Sequence, residues 1–253
     1  MTAHSLLFTY LWIAPHVLLV ALAVMMVRRK LVREFPSFFA YTLYEAVQFV
    51  VLYAMNRSDA ISGHQYTVAW LLGSCGSVAL RFAIVHEIFS KVFQSYPALK
   101  DFGTIVFRWA AVVLLLVAVV LVGWASGYDT ERFTTAYTVI DRAVSIVQGG
   151  LLILILLLSR FFSFPWRSYV FGIALGIGFF ASVELGIIAI RTQIGVAVRA
   201  EFFDMLTMAA YHCCVLFWIV TLLLPERVET RVTSVPAHNL DHWNDALQRL
   251  LHQ

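Results

Sequence analysis

Charge is scarce in this chain. Asp, Glu, Lys and Arg together make up 13% of its 253 residues, where a soluble domain carries about 25%. Polar runs are just as rare. The longest covers 225–253, and no stretch before it is polar enough to fold as a separate soluble domain. Cysteine is limited to Cys75, Cys213 and Cys214. All three fall within apolar runs, and neighbours on a helix point apart, which argues against a disulfide framework and for small packing residues. Lysine occurs at Lys30, Lys91 and Lys100, each at the end of an apolar run or between runs and none at a run's middle. Within the apolar runs no two histidines stand at i, i+4, and the chain has no haem-attachment signature.

What fills the space is hydrocarbon. Apolar residues reach 61% and the mean hydropathy is +0.82. Seven runs cover 5–27, 37–55, 65–93, 103–125, 131–159, 166–191 and 200–224. A bilayer core about 30 Å thick needs about 20 apolar residues in helical form. Backbone amides find no water there, so each run should be a helix. The expected fold is therefore all-α: a seven-transmembrane-helix bundle over 1–224, followed by a cytoplasmic tail over 225–253. Lys and Arg set orientation in such chains. Twelve of them flank one set of connections and four, Arg57, Arg132, Arg191 and Arg199, flank the other. The amino terminus should lie outside and the carboxyl terminus in the cytoplasm. The first run carries its basic cluster after the apolar stretch, unlike a secretory signal.

Connections are short, so consecutive helices should pack antiparallel. Pro36 and Pro165 stand where proline starts a helix, and Pro97 and Pro225 where it ends one. Pro15 lies inside the first run and should kink it. Gly172 with Gly176, and Gly73 with Ser77, form small-xxx-small pairs that favour close helix approach. The two triplets of spans place polar residues at different depths, which gives no support to an inverted repeat. In the tail, Leu240, Trp243, Leu247, Leu250 and Leu251 follow helical spacing after a capping Asn239, as an amphipathic helix at the membrane surface or on the bundle end. That tail is too short for an output domain, so any signal would pass to a protein partner. The flanking basic residues suit anionic lipid headgroups, and nothing in their pattern suits nucleic acid.

The informative residues are the polar ones in the middle. An ionisable group at mid-bilayer costs on the order of 3 kcal/mol, so it needs a partner and faces the bundle interior. Helical faces group Ser5, Thr9, Trp12 and His16; Tyr41, Tyr44, Glu45 and Gln48; Trp70, Ser74, Ser77 and Arg81; Thr138, Asp141, Arg142, Ser145 and Gln148; and Glu201, Asp204, Met208, Tyr211 and His212. Glu184 stands alone in the sixth run. Counting about 1.5 Å per residue puts His16 and His212 at the centre, with Glu45 and Arg81 close by. Asp141, Arg142, Glu184 and Asp204 lie further towards the outside. The expected ligand-binding set is thus His16, Glu45, Arg81, Asp141, Arg142, Glu184, Asp204 and His212. Four acids against two arginines, in a low dielectric, favour uptake of a proton or another cation. Glu87 lies nearer the inner interface, where an i, i+4 pair with Lys91 accounts for it.

Three functions compete. A sensor or transporter would bind a small solute or ion in this pocket. A redox or metal protein would use His16 and His212, at matched depth, for haem, or a histidine with Glu45 for a metal. A structural subunit would use polar stripes as interhelical contacts, worth about 0.6 kcal/mol each. No catalytic residue is expected. A retinal protein is excluded because the seventh run has no lysine for a Schiff base, and the tripeptides marking G-protein-coupled receptors are absent. The stretch Val85-His86-Glu87-Ile88-Phe89, with Val92-Phe93 and Tyr96-Pro97-Ala98-Leu99, resembles a recurrent segment of bacterial multi-span membrane proteins. Arg33-Glu34-Phe35-Pro36 leading into Phe38-Phe39-Ala40-Tyr41 does so too. That group has no assigned activity; the resemblance implies a bacterial inner-membrane location and carries no catalytic residues.

Overall fold

The computed structural model describes residues 3–58, 61–92, 168–194 and 200–224, with short pieces between 104 and 153. Five long helices occupy these residues: α1 (Ala3–Arg28), α2 (Pro36–Arg57), α3 (Gly63–Val92), α4 (Tyr169–Ile194) and α5 (Ala200–Leu223). Each is long and apolar enough to cross a bilayer. The described residues contain no strand. Five of the seven expected spans are therefore seen. The other two, at 103–125 and 131–159, lie outside the described residues except for isolated helical positions such as Val144, Ser145 and Ile146. The tail 225–253 also lies outside them.

The helices form a ring. α2 packs on α3 and on α1, α1 on α5, α5 on α4, and α4 closes back on α3. The outer surface is hydrocarbon, with Val17, Val20, Val24, Leu43, Val47, Val50, Leu72 and Val220 exposed. That is the inverse of a soluble fold, and it follows from a solvent as apolar as the side chains themselves. The interior differs from one end to the other. Towards the end carrying Arg28 it is an apolar plug of Leu19, Leu22, Met26, Phe38, Ile84, Ile88, Ile173, Val215, Trp218 and Leu222. Beyond that plug the polar residues begin.

Three local devices hold the plug end. Lys30 takes a left-handed turn (φ 61°) between α1 and a single 3₁₀ turn, Leu31–Arg33. The Arg29 guanidinium donates to the Leu222 carbonyl at 2.7 Å, satisfying an acceptor that the end of α5 leaves open. Pro36 opens α2 at a position that needs no N–H, but its N-cap Phe35 offers no side-chain acceptor. Glu87 of α3 supplies it: Ser37 N donates to Oε1 at 3.3 Å and Phe38 N to Oε2 at 3.2 Å. The expected Glu87–Lys91 pair is not a direct contact: the carboxylate makes its hydrogen bonds to these amides, and Lys91 acts on it through charge alone. The Lys91 ammonium instead sits 4.5 Å from the centroid of the Phe35 ring, because open helix amides attract a carboxylate more specifically than a mobile ammonium does.

Close approach of α4 and α5 depends on glycine. At Gly176 an added Cβ would collide with the Trp218 indole, and at Gly172 with the Thr221 methyl. The Cys214 thiol points at the Gly176 carbonyl at 3.5 Å. Cys75, Cys213 and Cys214 are all free thiols. α1 runs unbroken through Pro15, although that residue cannot donate to the Leu11 carbonyl one turn back.

Candidate functional site

All five helices contribute to one cavity of about 240 Å³ on the ring axis. α1 gives Leu11, Trp12, Pro15 and His16; α2 gives Tyr41 and Glu45; α3 gives Ser77 and Arg81; α4 gives Phe180 and Glu184; α5 gives Thr207, Met208 and Tyr211. Each helix places its set by helical periodicity. Tyr41 and Glu45, Ser77 and Arg81, Phe180 and Glu184, and Thr207 and Tyr211 are all i, i+4 pairs on one face.

The charges are unevenly partnered. Arg81 is buried, 6% exposed, and its Nη1 donates to Glu184 Oε2 at 3.1 Å. Ser145 Oγ donates to the same oxygen at 3.3 Å. Glu45 Oε1 accepts a hydrogen bond from the Ser77 hydroxyl. Among the described residues Glu45 has no cation within ion-pair distance. Tyr41 and Tyr211 bring their hydroxyls within 3.4 Å of each other across the ring axis.

His16 is held tightly. Its Nδ1 donates to the Trp12 carbonyl at 2.9 Å, and its ring stacks on Phe49 at 4.1 Å. With Nδ1 carrying the proton, a neutral ring presents Nε2 as an acceptor. Trp12 meets Phe49 edge-on at 5.4 Å, so the Trp12–His16 wall is braced from α2.

The expected site residues divide into three groups. His16, Glu45, Arg81 and Glu184 lie together at the cavity. His212 and Asp204 do not line it. The His212 ring packs against Tyr10 at 5.5 Å, with Nε2 and the Tyr10 hydroxyl 3.4 Å apart, and its buried Nδ1 has no partner among the described residues. Asp204 is exposed on α5. Asp141 and Arg142 lie outside the described residues. Other polar stripe members turn out to serve packing. Tyr44 donates to the Gly73 carbonyl at 2.8 Å, the Gln48 amide packs where a Gly73 Cβ would be, and Ser74 is buried away from the cavity.

Sequence reasoning missed Leu11, Pro15, Phe180 and Thr207 as wall residues. The signal was there for two of them: Phe180 lies four residues before Glu184, and Thr207 four before Tyr211. Among the described residues no three His, Cys, Asp or Glu side chains gather as a metal site. The arrangement can receive a cation or exchange a proton, because acceptors (Glu45, His16 Nε2) face a cavity whose cation, Arg81, is already engaged.

Fold and site together define an integral membrane protein, with five apolar spans among the described residues around a charged interior. No protein-family model, curated protein or solved structure matches the chain.

Proposed function

We propose that this protein is a seven-helix bundle of the bacterial cytoplasmic membrane, amino end outside and carboxyl end inside, that binds a small solute or ion in its axial cavity. It works as a sensor or transporter. The observation that carries this reading is the convergence of Glu45, Arg81, Glu184 and His16, from four different helices, on one space. Polar residues serving only as glue satisfy one another in pairs across a helix interface. Glu45 instead keeps one oxygen without a hydrogen bond among the described residues, and the apolar plug below it limits access from the Arg28 end. Asp141 and Arg142 are assigned to the same zone from their helical register, and Asp204, further towards the outside, and His212, at the level of His16, stand beside it. The tail 225–253 is assigned to the inner membrane surface, where a protein partner of a sensor would dock.

The test compares three variants in nanodiscs. Melting temperature is followed from acid to neutral pH, with and without a panel of amines, carboxylates and simple salts. Glu45→Gln and Arg81→Gln each change the proton or solute dependence, and Ser74→Ala leaves it as in the parent. Equal behaviour of all three overturns the reading.

A further inference from the structure

Resting on that reading of the cavity, its chemistry narrows the occupant to one class. Arg81 and Glu184 neutralise each other at 3.1 Å. Glu45 remains, with a hydroxyl as its hydrogen-bond partner and, among the described residues, no cation within ion-pair distance, although Arg81 lines the same cavity. His16 has committed its Nδ1 proton to the Trp12 carbonyl, so a neutral ring adds an acceptor and no donor. The rest of the wall includes four aromatic rings, those of Trp12, Tyr41, Phe180 and Tyr211. Aromatic rings carry a negative face that attracts cations, most of all alkylated ammonium groups in a desolvated site.

An anionic solute would meet the Glu45 carboxylate and a guanidinium whose Nη1 is already given to Glu184. An inorganic divalent ion needs several oxygen ligands, and among the described residues no three acids, histidines or cysteines gather to supply them. A small alkylammonium needs neither. The cavity of about 240 Å³ equals roughly eight waters at about 30 Å³ each, room enough for a compact amine.

We propose that the cavity takes a small organic monocation, its charge facing the Glu45 carboxylate and its alkyl groups packed among the rings of Trp12, Tyr41, Phe180 and Tyr211.

Three probes of one shape and different charge test this in nanodiscs by calorimetry: tetramethylammonium, tert-butanol and trimethylacetate. Tetramethylammonium binds, and trimethylacetate and tert-butanol bind at least tenfold more weakly. Glu45→Gln weakens the cation at least tenfold and Trp12→Leu severalfold, and Ser74→Ala changes nothing. Trp12→Leu keeps the test decisive if Glu45→Gln does not fold. Equal binding of the neutral or anionic probe overturns the cation class and leaves the cavity a binding site. Cation binding indifferent to both variants overturns the location. If no probe binds at millimolar concentration, the monocation proposal fails. The cavity reading fails with it only if the pH and solute dependence on Glu45 and Arg81 is also missing.

Discussion

Glu45, Glu87 and Glu184 are the same side chain in three kinds of work. Glu184 accepts from Arg81 and Ser145, Glu87 caps a neighbouring helix, and Glu45 faces a cavity with one hydroxyl on it. Removing one partner of a buried ion pair leaves an uncompensated charge and typically costs 3–5 kcal/mol. Arg81→Met should therefore destabilise strongly. Arg81→Met combined with Glu184→Met should lose less than the sum of the two single changes, with a coupling of about 1–3 kcal/mol. Additive losses in a thermal-melt cycle would show that the 3.1 Å contact contributes nothing. For Glu87→Ala, the loss of a helix cap is worth about 1–2 kcal/mol. Glu87→Gln should recover part of it by keeping an acceptor on the α2 amides. Identical melts for the parent and Glu87→Ala would refute the capping role.

At the scale of elements, the α4–α5 seam is a close junction built on glycine. The Trp218 indole occupies the place a side chain at Gly176 would take, and overpacking of this kind costs about 1–3 kcal/mol. Gly176→Ala should lower the melting temperature, and Gly186→Ala, where a Cβ meets nothing within 4 Å, should not. A matched pair of melts in the same detergent decides this. The junction of α3 with α4 is different in kind, since it includes the Arg81–Glu184 pair. The ring is therefore closed there partly by charge, beside the cavity itself.

The described helices divide along their length into an apolar plug and a chamber that carries the buried charges. Trp218 stands at the boundary, buried at 1% exposure, edge-on to Phe38 at 5.1 Å and to Tyr41 of the cavity wall at 6.5 Å. Trp218→Ala should cost about 3–5 kcal/mol through the void it leaves, and should extend the chamber towards the Arg28 end. In proteoliposomes this variant should leak tetramethylammonium faster than the parent. Unchanged flux would mean that the plug reseals without the indole. Orientation can be read from a cysteine-free background carrying single cysteines. Ser62→Cys, between α2 and α3, should react with an impermeant maleimide on intact cells. Arg33→Cys should react only after lysis. The reverse pattern would invert the proposed topology.

Much of this architecture was legible before any coordinates. The apolar runs located α1, α2, α3, α4 and α5 to within a few residues, because in lipid a helix must both span the core and satisfy its own amides. Helical spacing also brought His16, Glu45 and Arg81 to one depth, since depth along a helix is simple arithmetic. The azimuth of each helix was not legible. Nothing in an apolar chain marks which side of α5 faces inward. Asp204 and His212 therefore fell to the outside of the cavity, while Phe180 and Thr207, neither singled out as a site residue beforehand, became part of its wall. Glu87 was misread for a related reason: its true partners are amides fifty residues away in α2, invisible to an i, i+4 rule.

Hydrophobic length and charge placement, taken alone, determined that the chain lives in a bilayer as helices and at what level each polar group sits. Only the packed ring decided which of those groups meet. Helix rotation is set by side-chain fit between neighbours, such as Trp218 against Gly176 and Glu45 against Ser77, and such fit depends on residues far apart in the chain.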